Sequence, residues 1–238
     1  MTDLTHPPRW PDPIDGDSLA SVTADVVSCS ACPRLVAWRE RVATDKRAAF
    51  AGEDYWGRPV PGFGDPAARL AVVGLAPAAH GGNRTGRVFT GDRSGDWLFR
   101  ALWRGGWANQ PTSVAAGDGL SLSGAWVTAS VRCAPPANKP TPAERDTCVL
   151  YLARELALLR EVRVVVALGA LAYQVCARML GVRPRPRFGH GVEMALPAWR
   201  TLICSYHPSQ QNTFTGTLTE AAFDAVFARA RELGAGPP

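Results

Sequence analysis

Four short apolar runs, at residues 70–75, 125–130, 162–168 and 201–206, read as strands buried on both faces. Between and after them the apolar spacing changes to that of helices, at residues 94–107, 142–160, 170–180 and 219–233. This alternation predicts an α/β fold, a three-layer α/β/α sandwich around a central, mainly parallel, four-stranded sheet. Upstream, helices are expected from about Ser18 and over residues 34–47, joined by the turn Cys29-Ser-Ala-Cys32-Pro. The Gly/Pro-rich residues 57–66 break both periodicities and are expected to be a loop; 115–124 reads as a flexible Gly/Ser loop. Residues 1–17, with four prolines and four aspartates, are expected to be a flexible arm, leaving 18–238 as a single domain.

Composition narrows the class. With 46% hydrophobic and 20% charged residues, the 238-residue chain can build a sizeable core, which excludes wholesale disorder. Lys and Arg outnumber Asp and Glu by 26 to 21, for a net charge of +5, and Arg greatly exceeds Lys; this permits a polyanionic partner without requiring one. No run approaches the roughly 18 apolar residues of a membrane span, and the N-terminus lacks a signal-peptide pattern, so no membrane association and a cytoplasmic location are expected. There, six cysteines argue against a disulfide framework.

Cys29 and Cys32 are separated by two intervening residues in a turn, and Cys133 and Cys148 bracket a Pro-rich loop leading into a helix. Two close thiols plus two distant ones suit a four-thiolate site for Zn²⁺ or an iron–sulfur cluster, and spacing alone does not choose between them. Such a site would tie the N-terminal segment to the sheet, closing a loop of about a hundred residues, so its role is read as structural. Cys176 and Cys204 lie inside apolar elements and read as core residues.

In doubly wound sheets ligands sit beyond the carboxyl ends of the strands, and here those segments carry the least ordinary residues. They are Gly74-Leu-Ala-Pro-Ala-Ala-His-Gly, Thr85-Gly-Arg-Val-Phe-Thr-Gly-Asp92, Val131-Arg-Cys-Ala-Pro-Pro-Ala-Asn-Lys-Pro140 and His207-Pro-Ser209. The first, glycine-rich, matches neither the dinucleotide fingerprint nor the P-loop. In this order, and with the cysteines, the four resemble the motifs of the uracil-DNA glycosylase superfamily, in particular the iron–sulfur-containing branch called UDGb or family five.

The resemblance implies a DNA glycosylase of base-excision repair, a monofunctional enzyme that hydrolyses the N-glycosidic bond of uracil in DNA. It also implies a structural [4Fe–4S] cluster on Cys29, Cys32, Cys133 and Cys148. The target nucleotide would be flipped into a pocket. There Phe89 could stack on the base, Asn138 could meet the polar edge of uracil with its donor and acceptor, and His207 could donate to the departing ring's O2. Superfamily members commonly carry Asp or Asn in the first motif, where this chain has Ala76; a methyl group cannot orient water, so Asp92 is the candidate carboxylate, its competing role being to cap the next helix. Ala78 stands in place of the thymine-excluding aromatic. The roomier pocket implies activity on hypoxanthine, hydroxymethyluracil or ethenocytosine as well. Gln210, Gln211 and Asn212 are expected in a polar loop that contacts DNA where the flipped base leaves a gap. Arg84, Arg87, Arg93, Arg178, Arg183, Arg185 and Arg187 are candidates for phosphate contact. A monomer acting at the nucleoid is expected. The alternatives are a non-catalytic iron–sulfur or zinc module that binds nucleic acid, and a zinc-dependent hydrolase.

Overall fold

The computed structural model describes residues 9–235. Helices α1 (Leu19–Ser28) and α2 (Pro33–Asp45) precede a short strand β1 (Phe63–Gly64). Then come β2 (Leu70–Gly74), α3 (Gly82–Thr85), α4 (Arg93–Arg104), β3 (Ala125–Ala129), α5 (Pro142–Leu158), β4 (Val164–Leu168) and α6 (Ala170–Met179). The chain finishes with β5 (Glu193–Leu196), β6 (Arg200–Ser205), α7 (Gln210–Phe214) and α8 (Glu220–Gly234). The sheet has the order β1-β3-β2-β4-β6-β5, and its four inner strands are the expected ones, all parallel.

The sheet has six strands rather than four, because antiparallel edges flank the parallel core. Two-residue β1 lies inside the stretch expected to be a loop, and β5 alternates exposed Glu193 and Ala195 with buried Met194 and Leu196. Neither forms an apolar run, since edge strands need only one covered face.

Alternation along the inner strands sorts the two cores. Leu70, Val72, Val127, Val164, Val166 and Ile203 face α4 and α8, packing on Phe99, Leu102, Phe223 and Phe227. Ala71, Val73, Val165, Ala167, Leu202 and Cys204 face α5 and α6, packing on Leu152, Leu156, Tyr173 and Cys176. Cys176 and Cys204 are thus buried core residues. Among the described residues no single helix is long and apolar enough to cross a membrane.

Two expected flexible segments are held. From Arg9 onward the N-terminal arm is docked: the Trp10 indole donates to the Leu156 carbonyl at 3.0 Å, and Arg154 binds the Asp17 carboxylate at 2.7 and 2.8 Å. Residues 1–8 of that arm lie outside the described residues. In the loop over 115–124, Asp118 accepts from both Arg87, at 2.7 and 2.8 Å, and the backbone of Val114, Ala115 and Leu120. Burial opposes ionisation of Asp118, but Arg87 and these N–H groups outweigh it and hold the pKa at about 2. Its stabilisation is therefore complete above the ordinary aspartate value of 3.8 and is lost as pH falls toward about 2. Asp118→Asn should lower the melting temperature at pH 6, and thermal scans of parent and variant should converge as pH falls through that window.

Candidate active site

The strand order places a crevice where the connection after β2 turns toward β3 while that after β4 turns toward β6. One cleft of about 690 Å³ lies there, lined by Ala76, Ala78, Phe89, Asp92, Asn138 and His207, with Gln210 and Gln211 at its side. Leu75, Pro77, Val88 and Ser209, which lie within the quoted motifs, complete the lining together with Arg93, expected to meet phosphate, and with Ser94 and Leu171, which sequence reasoning missed. Leu171 had no polar or glycine signal and enters the wall only because α6 begins directly after β4.

Two glycines let the chain close around this space. A Cβ on Gly74 would lie 2.7 Å from the Phe89 ring, and one on Gly81 would collide with the Asp92 carboxylate. Phe89 itself has a left-handed backbone, φ +52°, a conformation that costs a non-glycine residue of order 1–3 kcal/mol. Its ring is mostly buried, belongs to the core beneath the cleft, and lies 6.0 Å from the His207 imidazole at an interplanar angle of 34°. Asn138 is also left-handed, φ +56°, at the end of a tight turn after two prolines; its side chain is exposed into the cleft.

Asp92 holds both roles open. It is the N-cap of α4, accepting from the Gly95 N–H at 2.9 Å, yet its carboxylate also lines the cleft. Burial raises its pKa above the ordinary value, Asp96 adds to that, and Gly95, Ser94 and Arg84 work against it. His207 follows β6, and burial pushes its pKa down to about 4, so the ring is neutral at neutral pH. Its backbone carbonyl accepts from the Ser209 N–H at 2.8 Å and from the Asn212 side chain at 2.9 Å. Asn212 thus turns inward to hold the His207 turn and does not line the cleft, and the expected polar loop is the short helix α7 capped by Ser209.

Of the arginines proposed for phosphate, Arg84 and Arg87 are buried and committed. Arg84 pairs with Glu53 and donates to the carbonyls of His80, at 2.9 Å, and Gly91, at 3.1 Å; this staples both ends of the loop that places Gly81 and Asp92. Arg87 is engaged by Asp118, and Arg178 pairs with Asp146. Arg93, Arg183, Arg185 and Arg187 are exposed and have no carboxylate partner among the described residues.

A second cavity, of about 480 Å³, is lined by Cys29, Cys32, Cys133 and Cys148. Cys29 ends α1 and Cys32 starts α2 with Pro33 in the first turn, where a missing N–H is harmless. Glu144, in the capping box of α5, accepts from Arg34 of α2 at 2.7 Å and braces the two helices. Cys133 accepts from Arg39 at 3.0 Å and Cys148 from the Arg132 backbone N–H at 3.2 Å, and all four thiols are free. Burial pushes the Cys148 thiol up to about 12, a cost that a ligated cation offsets. Among the described residues no three His, Cys, Asp or Glu side chains form a group that could hold a single metal ion. The four thiols line one cavity and two of them accept N–H···S bonds, a donor set whose chemistry suits a thiolate-bound metal group. Both cavities share a wall: Ala76 packs on the apolar group formed by Leu35, Val131, Cys133 and Cys148, and Asn83 of α3 donates to the Arg39 carbonyl at 3.2 Å.

A family model of the uracil DNA glycosylase superfamily matches residues 61–231, the span carrying every loop that lines the cleft, and the chain belongs to that superfamily. It is 55% identical to the type-5 uracil-DNA glycosylase of Mycobacterium bovis, over 91% of this chain and 82% of that protein. The type-5 enzyme of Mycobacterium leprae is likewise 55% identical, over 91% and 96%. That of Thermus thermophilus is 53% identical, over 87% and 94%.

Proposed function

We propose that this chain is a DNA glycosylase that hydrolyses the N-glycosidic bond of uracil, and of other deaminated or modified bases, in DNA. The carrying observation is that the candidate base-pocket and catalytic residues, arriving from the ends of three strands, β2, β3 and β6, line one cleft together with Gln210 and Gln211. An extruded nucleotide would place its base near Phe89, whose aromatic face supplies roughly 1–3 kcal/mol of stacking without reading identity. The Asn138 amide would pair with the base's polar edge. As the C1′–N bond breaks, its electron pair passes to the base; the neutral His207 imidazole donates an N–H to the oxygen that gains charge. Asp92 faces the developing cationic sugar, orients a water whose oxygen bonds to C1′, and takes its proton. The elevated pKa of Asp92 suits a base.

Breadth follows from the small side chains of Ala76 and Ala78 in a cleft of about 690 Å³. Cys29, Cys32, Cys133 and Cys148 would hold a [4Fe–4S] cluster that fastens α1 and α2 to α5 and to the loop after β3. The enzyme would act as a monomer, in the cytoplasm.

Oligonucleotides carrying uracil, hypoxanthine, hydroxymethyluracil or ethenocytosine, followed over time for abasic product, test this reading. Cleavage of uracil together with at least one other base is the expected result. Inactivity on all but uracil rejects the breadth, and tight binding without any abasic product points to a non-catalytic module. A brown protein with broad visible absorbance is expected; a colourless one that loses activity to chelators supports zinc instead.

A further inference from the structure

Beyond Ser205 the chain leaves the sheet and, two residues on, brings His207 to the cleft. Toward β4 this exit is held by main chain, since the Gly169 N–H donates to the Ser205 carbonyl at 2.8 Å. Toward β5 the backbone pairing stops earlier: the Cys204 N–H donates to the Val192 carbonyl and the Gly191 N–H to the Cys204 carbonyl, both at 2.8 Å. The Tyr206 N–H donates instead to Nδ1 of the His190 side chain, at 3.1 Å. Across the same ring, Nε2 lies 3.0 Å from the carbonyl of Ala222, in the first turn of α8. A backbone N–H only donates and a carbonyl only accepts, so the proton sits on Nε2 and both ring nitrogens are used. The half-buried ring also rests against that of Tyr206, with centroids 5.2 Å apart. His190 thus serves as a side-chain rung that continues the ladder past its last backbone pair and fastens it to α8. On the far side of His207 there is little slack, for a Cβ on Gly169 would lie 3.2 Å from the His207 Cβ. His190 itself is outside the cleft lining.

We propose that His190 is a positioning residue: by holding the Tyr206 main chain through Nδ1 it sets where the His207 imidazole meets the departing base. The proposal rests on the reading of His207 as the donor to that base. A residue that acts through His207 has nothing left to act on once the imidazole is gone, which separates positioning from a general contribution to the fold. The two nitrogens separate as well. An asparagine oxygen can stand in for Nδ1 without reaching Ala222, whereas a glutamine amide can stand in for Nε2 without serving Tyr206.

Single-turnover excision of uracil would be measured for the parent, His190→Ala, His190→Gln and His190→Asn, and for His190→Gln combined with His207→Ala. His190→Ala and His190→Gln should slow the reaction by roughly ten- to a hundredfold, the scale of a small misplacement of a reacting group, and His190→Asn should rescue most of that loss. In the double variant the rate should lie within about twofold of His207→Ala alone. Equal losses in His190→Asn and His190→Gln, unchanged rates in all three single variants, or a full further loss on top of His207→Ala would each overturn the assignment. A second readout needs no substrate. The chain has four histidines, so the His207 imidazole signal can be assigned in a nitrogen-15 spectrum by its disappearance in His207→Ala. It should move in His190→Gln and stay in His190→Asn; an unmoved signal in His190→Gln refutes the positioning. A parent protein that excises no uracil while this signal moves as expected would refute the reading of His207 as donor and leave the geometric link between the two histidines standing.

Discussion

Asp92→Asn should keep the fold and lower single-turnover excision of uracil by roughly a hundredfold or more, the scale of removing one acid–base group. The structure makes this substitution more informative than alanine. Asp92 caps α4 through the Gly95 N–H, and an asparagine oxygen can accept the same bond, so cap and catalysis separate. Asp92→Ala removes both, adding a loss of about 0.5–2 kcal/mol in stability. Matching rates for parent and Asp92→Asn would reduce Asp92 to a cap. The pH profile adds a second check. Burial raises the Asp92 pKa, so the acid limb of the parent rate should fall above the ordinary value of 3.8, and it should vanish in Asp92→Asn.

His207→Ala should cost a comparable factor, about a hundred- to a thousandfold in rate, as for removal of one oxyanion donor. Because burial holds the imidazole near a pKa of 4, it is neutral through the physiological range, and no limb in the rate between pH 5 and 8 should belong to it. The sign of the stability effect follows. As pH falls below the ordinary 6.5, the unfolded chain takes up a proton at this residue that the folded one refuses until about 4, so the native state loses stability over that window. Urea melts should therefore show a smaller gap between parent and His207→Ala at pH 5 than at pH 7. An unchanged excision rate in this variant would remove the imidazole from the reaction.

How far these residues were legible in the chain depends on the kind of signal. The inner strands announce themselves because both faces are covered, and Val164, Val165 and Val166 need no partner polarity to be recognised. Asp92, Asn138 and His207 are legible because polar groups beside glycine or proline, in the segments that follow such strands, have few structural reasons to be there. β5 and the docking of Trp10 were not, since each is specified by a distant surface rather than by its own neighbours. The arginines show the same limit. Arg84 and Arg93 both look like cations flanking a loop, yet one is buried against Glu53 and two carbonyls while the other is exposed at the mouth, with no carboxylate partner among the described residues. The Asn212 amide shows the same limit, since a short helix capped by Ser209 turns it to the His207 carbonyl, a partner its own neighbours do not announce.

The bond from the Asn83 side chain to the Arg39 backbone carbonyl, and that from the Arg39 guanidinium to the Cys133 sulfur, join the glycine-rich segment to the thiols through one residue. Loss of the Cys133 thiol would release the Arg39 guanidinium and, through the Arg39 backbone, loosen Asn83 and the segment that shapes the cleft floor. A change at Cys133, which lies outside the cleft, would thereby be felt within it, with no lining residue itself altered.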